Sequence, residues 1–168
     1  MVVVRDHVAR TRLKELYLRS WRLLYPRLLE HATTEVRRRH LGRANHYAEQ
    51  LEDVPVHLVV LVELVATRTG MPLLDQSTFA GGSSVYPFVQ NVLLALRAEG
   101  LGGALTMLLN NAEPEVKALL GIPDGVALAA HIGVGWPAEP LPRRLRRRRV
   151  EEFAALERFG GEPLSRPP

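Results

Sequence analysis

The sequence contains no cysteine, which excludes a disulfide framework, a thiolate nucleophile and a thiolate metal site. It also lacks a long apolar run. The longest, Val54 to Ala66, is interrupted by His57 and Glu63 and falls short of the ~20 residues a membrane-spanning helix needs. Met1 to Val4 are apolar, but Arg5 and Asp6 follow at once, so the start has neither the length nor the flanks of a secretory signal. A cytoplasmic location is the expectation. The six histidines, His7, His31, His40, His46, His57 and His131, show no HExxH or comparable spacing, and no metal site is assigned. There is no G-x-S-x-G elbow and no obvious base for Ser83 or Ser84, so a serine hydrolase has no support. No internal repeat occurs.

What the sequence does contain is enough for one core: 168 residues, 46% of them hydrophobic, point to a single domain over 1–160 with 161–168 as a frayed tail. Val2 to Val4 is branched enough for a short strand. Asp6 is placed as the N-cap of a helix in which Val8, Leu13, Leu16, Tyr17, Trp21 and Leu24 recur at helical spacing until Pro26 interrupts. Helical character resumes over Leu28 to Leu41, Gly42 punctuates it, and Ala44 to Leu51 adds a further turn or two. Pro55 to Leu64 is a nearly continuous β-branched run, the pattern of a strand buried on both faces.

Thr67 to Gly82 reads as a loop that feeds a strongly apolar helix over Ser84 to Glu99, expected to be a core helix buried on more than one side. Gly100-Leu101-Gly102-Gly103 supplies its stop. A short strand over Ala104 to Leu109 follows, then a helix over Glu113 to Leu120 halted by Gly121. A second buried strand over Val126 to Val134 ends at Gly135-Trp136-Pro137, and Val150 to Arg158 is a last short helix.

The formal net charge of +4 and pI near 9.9 resemble those of a nucleic-acid binder, but Arg143, Arg144, Arg146, Arg147, Arg148 and Arg149 crowd one stretch. The run is flanked by Pro, Leu and Glu rather than interleaved with aromatic residues that stack on bases. From charge alone it is a solvated face or a phosphate contact. Gly81 to Ser84, ahead of a helix, could cap it or present N–H groups and hydroxyls to an anion. Tyr86 and Gln90 share one helix face, and Gln90 and Asn91 need partners if buried.

The stretch from Gly82 through Gln90-Asn91 to Gly100-Leu101-Gly102-Gly103, then Leu119-Leu-Gly-Ile-Pro123 and Gly133-Val-Gly-Trp-Pro137, resembles the FMN-dependent nitroreductase family in order and spacing. In that family a "QN-lll-A-A-x-GLG" helix packs at the centre of a dimer, an "LGIP-xG" turn precedes a buried strand, and a "GYP"-like turn leads to a basic segment. Val2 to Asp6 and Val54-Pro55-Val56 extend the likeness over nearly the whole chain. The family's front motifs, "RRS-R" and "PS-x-N-x-QPW", which hold flavin phosphate, ribityl chain and part of the ring, do not occur in these residues. The expectation is a family member lacking its N-terminal flavin-binding segment, either through a truncated gene model or as a genuinely shortened relative.

The resemblance implies an α+β fold with a mixed sheet flanked by helices, a central buried helix, and a homodimer. It implies FMN as cofactor and NAD(P)H as reductant, with a nitroaromatic, quinone or similar small molecule as electron acceptor. It assigns Ser83, Ser84, Gly102, Gly103, Leu105 and Thr106 to the flavin ring and Arg146, Arg147 and Arg148 to its phosphate. No catalytic side chain is named, because the cofactor carries the chemistry. Two other classes stay open: a cofactor-free homologue that keeps only the core, and a basic nucleic-acid-binding module.

Overall fold

Val56 to Glu63 forms a strand that is buried from His57 to Val60 and half-buried on either side, in keeping with its run of branched residues. In the computed structural model, which describes residues 1–63, 82–140 and 147–164, this strand (β2) lies between β1 (Val2–Val4) and β4 (Val126–Gly135). Strand β3 (Gly102–Thr106) closes the order β1-β2-β4-β3. All three pairings are antiparallel, which narrows the expected mixed sheet to an antiparallel one among the described residues. The expected loop over Thr67 to Gly82 lies outside the described residues except for Gly82.

Helices cover both faces. Helix α1 (His7–Glu30) is capped by Asp6, whose carboxylate accepts the Ala9 N–H at 2.8 Å. It does not stop at Pro26, as its sequence suggests, but runs one turn further. Trp21 and Tyr25 stack with ring centres 5.4 Å apart and Tyr25 and Leu28 pack on the core, so packing outweighs the hydrogen bond that proline removes. The helical stretch expected over Leu28 to Leu41 is broken instead at residues 31–34, where Thr34 caps helix α2 (Glu35–Glu49). Gly42 sits inside α2 rather than dividing it.

With α1 and α2 on one face, residues of β2 and β4 that point that way join Leu13, Leu16, Tyr17, Trp21, Ala48 and Leu51 in one buried cluster. A bulge shifts the β2–β4 register between Val60 and Leu61, so that Ala130 faces Val60 while Leu128 faces Leu61. The freed backbone is satisfied from outside the ladder: Leu128 N–H donates to Glu113 (3.0 Å) and its carbonyl accepts from Asn110 (2.9 Å). These two residues belong to the turn over Leu108–Ala112 and to helix α4 (Glu113–Leu120). Gly121, at φ 66°, ends α4 in the left-handed conformation that favours glycine.

Among the described residues the other face carries one helix, α3 (Val85–Ala98), packed on Leu58, Val60, Ala130, Ile132 and Val134. Its expected burial on several sides is not met within this chain. Val89 is its buried residue, while Tyr86, Phe88 and Leu94 are 47%, 46% and 57% exposed. The helix ends in a Schellman turn: Leu101 N–H reaches Leu96 O at 2.8 Å and Gly100 N–H reaches Arg97 O at 3.1 Å, with Gly100 at φ 75°. Gly100 therefore makes the stop, whereas Gly102 and Gly103, expected to share it, begin β3. The strand expected over Ala104 to Leu109 thus starts two residues earlier and ends at Thr106.

The chain divides into two compact units, Met1–Pro137 and Ala138–Pro168. In the second, the expected helix over Val150 to Arg158 shrinks to a single turn over Val150–Glu152. Beyond it, Leu156 N–H bonds Glu162 O (2.7 Å) and Leu164 N–H bonds Ala154 O (2.9 Å) around an Ala155–Pro163 bridge. Gly160, at φ 72°, allows the turn between them.

Candidate active site

Helix α3 and strand β3 run antiparallel, so the residues nominated from the sequence spread along a line rather than converge on a point. Gly103 lies under the C-terminal half of α3, where a Cβ would come within 2.7 Å of Leu93 Cδ2 and 3.1 Å of Leu96 Cδ1. The absence of a side chain there is explained by helix–sheet approach. Gly102 lies beside the Gly135 carbonyl and Pro137. Thr106, four residues on and roughly 13 Å along the strand, is at the other end. There the Tyr86 hydroxyl reaches Met107 Sδ at 3.9 Å and the Tyr86 ring covers Gly82, joining the start of α3 to the end of β3.

Ser83 and Ser84 stand at this end and are exposed. Ser84 occupies the N-cap position with helical backbone angles, and its side chain makes no capping bond. Ordinary capping is therefore not what occupies its hydroxyl. Helix α3 tolerates Pro87 because a first-turn residue has no intrahelical N–H bond to lose. The N–H groups of Val85 and Tyr86 have no intrahelical partner either, and the helix end carries about half a positive charge.

Leu105 is outward and exposed, whereas Thr106 turns inward. The Thr106 hydroxyl accepts from Leu108 N–H (3.3 Å) and shares a hydrogen bond with the Tyr17 hydroxyl at 3.4 Å. Its side chain thus anchors β3 and faces away from Leu105. Among the described residues β3 pairs with β4 alone, so its other edge keeps backbone groups available. Gln90 and Asn91 are exposed in this chain, so neither needs an internal partner.

The nominated arginines belong to the second unit, and Arg146 lies outside the described residues. Arg148 is engaged with Glu152, through its Nη2 to the backbone carbonyl at 2.9 Å and its Nε to the carboxylate at 3.5 Å. Arg147 is exposed and makes no ion pair among the described residues. A concavity of about 710 Å³ in this unit is lined by Glu151, Phe153, Arg158, Phe159 and their neighbours, and by none of the nominated residues. Among the described residues no group of three or more His, Asp or Glu side chains could hold a metal ion. No described helix is long and apolar enough to cross a membrane.

The first-turn N–H groups of α3 and the unpaired edge of β3 are backbone donors without partners within their own elements. A model of the nitroreductase family matches residues 1–136. The chain belongs to the nitroreductase family.

Solved structures of nitroreductase-fold proteins show the same fold at low identity. Oxidised iodotyrosine deiodinase bound to FMN and 3-iodo-L-tyrosine superposes with a TM-score of 0.61 at 21% identity, covering 92% of this chain and 75% of that one. The NADPH:FMN oxidoreductase of Vibrio harveyi, complexed with NAD+, gives 0.59 at 20% over 94% of this chain and 58% of its own. A BluB-like flavoprotein of Clostridium difficile 630 gives 0.61 at 18% over 94% and 78%. No curated protein matches the sequence. This chain therefore carries the fold of the nitroreductase family.

One feature of the first unit had no signal in the sequence. His57 and His131, 74 residues apart, are both buried and hydrogen-bonded to each other at 2.8 Å. Each is a lone histidine in an apolar strand, and pairing depends on the β2–β4 register.

Proposed function

We propose that this chain is an FMN-dependent oxidoreductase that takes reducing equivalents from NAD(P)H and passes them to a nitroaromatic, quinone or similar small acceptor. The observation that carries the proposal is the start of α3 set against the end of β3, in a chain whose family match covers residues 1–136. Ser83 and Ser84 would offer hydroxyls and the first-turn N–H groups of α3 would offer backbone donors to the ring edge. Gly102, Gly103 and Leu105 would line it along β3, Thr106 holding that strand in place through Tyr17. Arg147 and, after release from Glu152, Arg148 would meet the phosphate, with Arg146 as the third of the set.

Bound FMN would supply the hydride chemistry; the protein's part is to place the ring, tune it and exclude competing reactions. The exposed apolar side of α3, with Tyr86, Phe88 and Leu94, supports a homodimer built across that helix. The absence of cysteine fits a cytoplasmic location.

Anaerobic mixing of the FMN-loaded chain with NADPH, and separately NADH, tests the reading. Bleaching of the flavin, followed by recovery of colour on adding a quinone, is the expected result. Flavin that stays oxidised with both reductants would overturn it.

A further inference from the structure

His57 and His131 lie on the face of the sheet that α1 and α2 cover. Both are fully buried, at 0% and 1% exposure. Their rings stack at 5.0 Å with 20° between planes, and His57 Nδ1 meets His131 Nε2 at 2.8 Å. One nitrogen of that bridge must donate and the other accept, so at least one ring is neutral in the folded chain. His131 Nδ1 is buried with no partner, which leaves nothing to stabilise a proton placed there.

The surroundings reinforce neutrality. His57 pairs across the ladder with Val4 of β1 and Gly133 of β4, and His131 with Val59 of β2 and Thr106 of β3. From α1 come Arg10, which donates to the Glu52 and Val54 carbonyls, and Tyr17, whose ring sits edge-on 6.5 Å from His131. From α2 comes Tyr47, whose buried hydroxyl fills the notch left by Gly133 and has no partner. No carboxylate among the described residues makes an ion pair with either imidazole. Glu52, the acid in the adjoining turn, is bonded to Lys14 at 2.8 Å.

We propose that the His57–His131 pair is an acid-sensitive lock that seats the α1–α2 layer on the sheet while both rings are neutral and releases it when the pair takes up protons. Burial, first, and the neighbouring charge of Arg10 depress the basicity of His57 against a smaller opposing effect of the Leu51 backbone; burial, first, and His57 itself depress that of His131. The sign follows directly. An unfolded imidazole gains a proton below about pH 6.5 whereas the folded pair refuses it, so stability is full above that value and falls as pH drops below it. With two such groups the unfolding constant rises about 100-fold for each pH unit once both unfolded imidazoles are protonated. Glu52 and Glu115 act lower: a hydrogen bond from Lys14 to the first and from Arg19 to the second hold them below the usual carboxylate range, so their contribution is lost only under about pH 4.3. The window between is the pair's own.

The test is urea unfolding of the full chain at a series of pH values from about 7.5 to 5, beside the double variant His57→Leu/His131→Leu. The wild type should lose stability steeply below about pH 6.5, and the double variant should lose most of that dependence. A wild type as stable at pH 5 as at 7.5, or a double variant with the same pH dependence, would overturn the proposal. Histidine ring NMR of the folded wild type decides independently should the double variant not fold. Two imidazoles that keep neutral shifts at about pH 5 support the lock, and six protonated ones sink it.

Discussion

The two faces of the sheet are built differently. On the α1–α2 face, two helices close over a core that includes Tyr17, Tyr47 and the His57–His131 pair. On the other face α3, the one helix there among the described residues, rests on small and branched residues, Ala129, Ala130, Val60 and Ile132, and turns apolar side chains outward. Of the residues nominated for flavin, Ser83, Ser84, Gly103 and Leu105 lie along that second side, whereas Gly102 and Thr106 alternate toward the first. Stability is concentrated on the closed face and candidate chemistry on the open one, the division expected where a rigid scaffold positions a site.

Truncations on the closed face should therefore cost most. Leu13→Ala removes a side chain that is fully buried between α1 and the sheet, and should destabilise by about 3 kcal/mol in chemical unfolding. Gly133→Ala should follow at about 2 kcal/mol, because the new Cβ meets the Tyr47 hydroxyl and lies 3.3 Å from Val54 Cγ1 in a core with nowhere to move. The matching substitution on the open face, Gly103→Ala, crowds the ends of the Leu93 and Leu96 side chains and makes an ordinary contact with Ile132 Cγ2 at 3.4 Å. It should cost about 1 kcal/mol while weakening flavin binding if β3 lines the ring. Equal costs at Gly103 and Gly133 would erase the contrast between the faces.

Away from both faces, Gly42→Ala should stabilise by about 0.5–1 kcal/mol, since Gly42 is inside α2 with open space where a Cβ would stand. Leu94→Arg, at an outward position of α3, should change the stability of the single chain by less than about 0.5 kcal/mol. It should shift sedimentation from dimer to monomer if α3 is the subunit contact.

The same contrast explains what the sequence disclosed. Strands β2 and β4 were legible because branched runs such as Val59 to Val62 have few other ways to be buried, and Asp6 and Gly121 marked helix ends by local chemistry alone. Pro26 and Gly42 were misread because a local penalty of about 1–3 kcal/mol is outweighed by the rest of the helix around it, and the 31–34 break was missed because the Thr34 cap that starts α2 was not recognised. The short turn at Val150–Glu152 failed as a helix for the opposite reason, since the following residues bond back to 161–164 instead.

At the candidate site, family motifs located α3 and β3, and Gly102 and Gly103 proved to be strand rather than helix stop. Met107 and Tyr86, which join the two elements, carry no pattern that spacing could expose. The buried histidine pair depends on a register between segments 74 residues apart, which no local pattern encodes.

The central claim is flavin binding by this chain, and the visible absorption spectrum after adding FMN and removing the excess on a desalting column tests it most directly. Retained flavin near one per chain is the predicted result. A colourless protein would contradict the account.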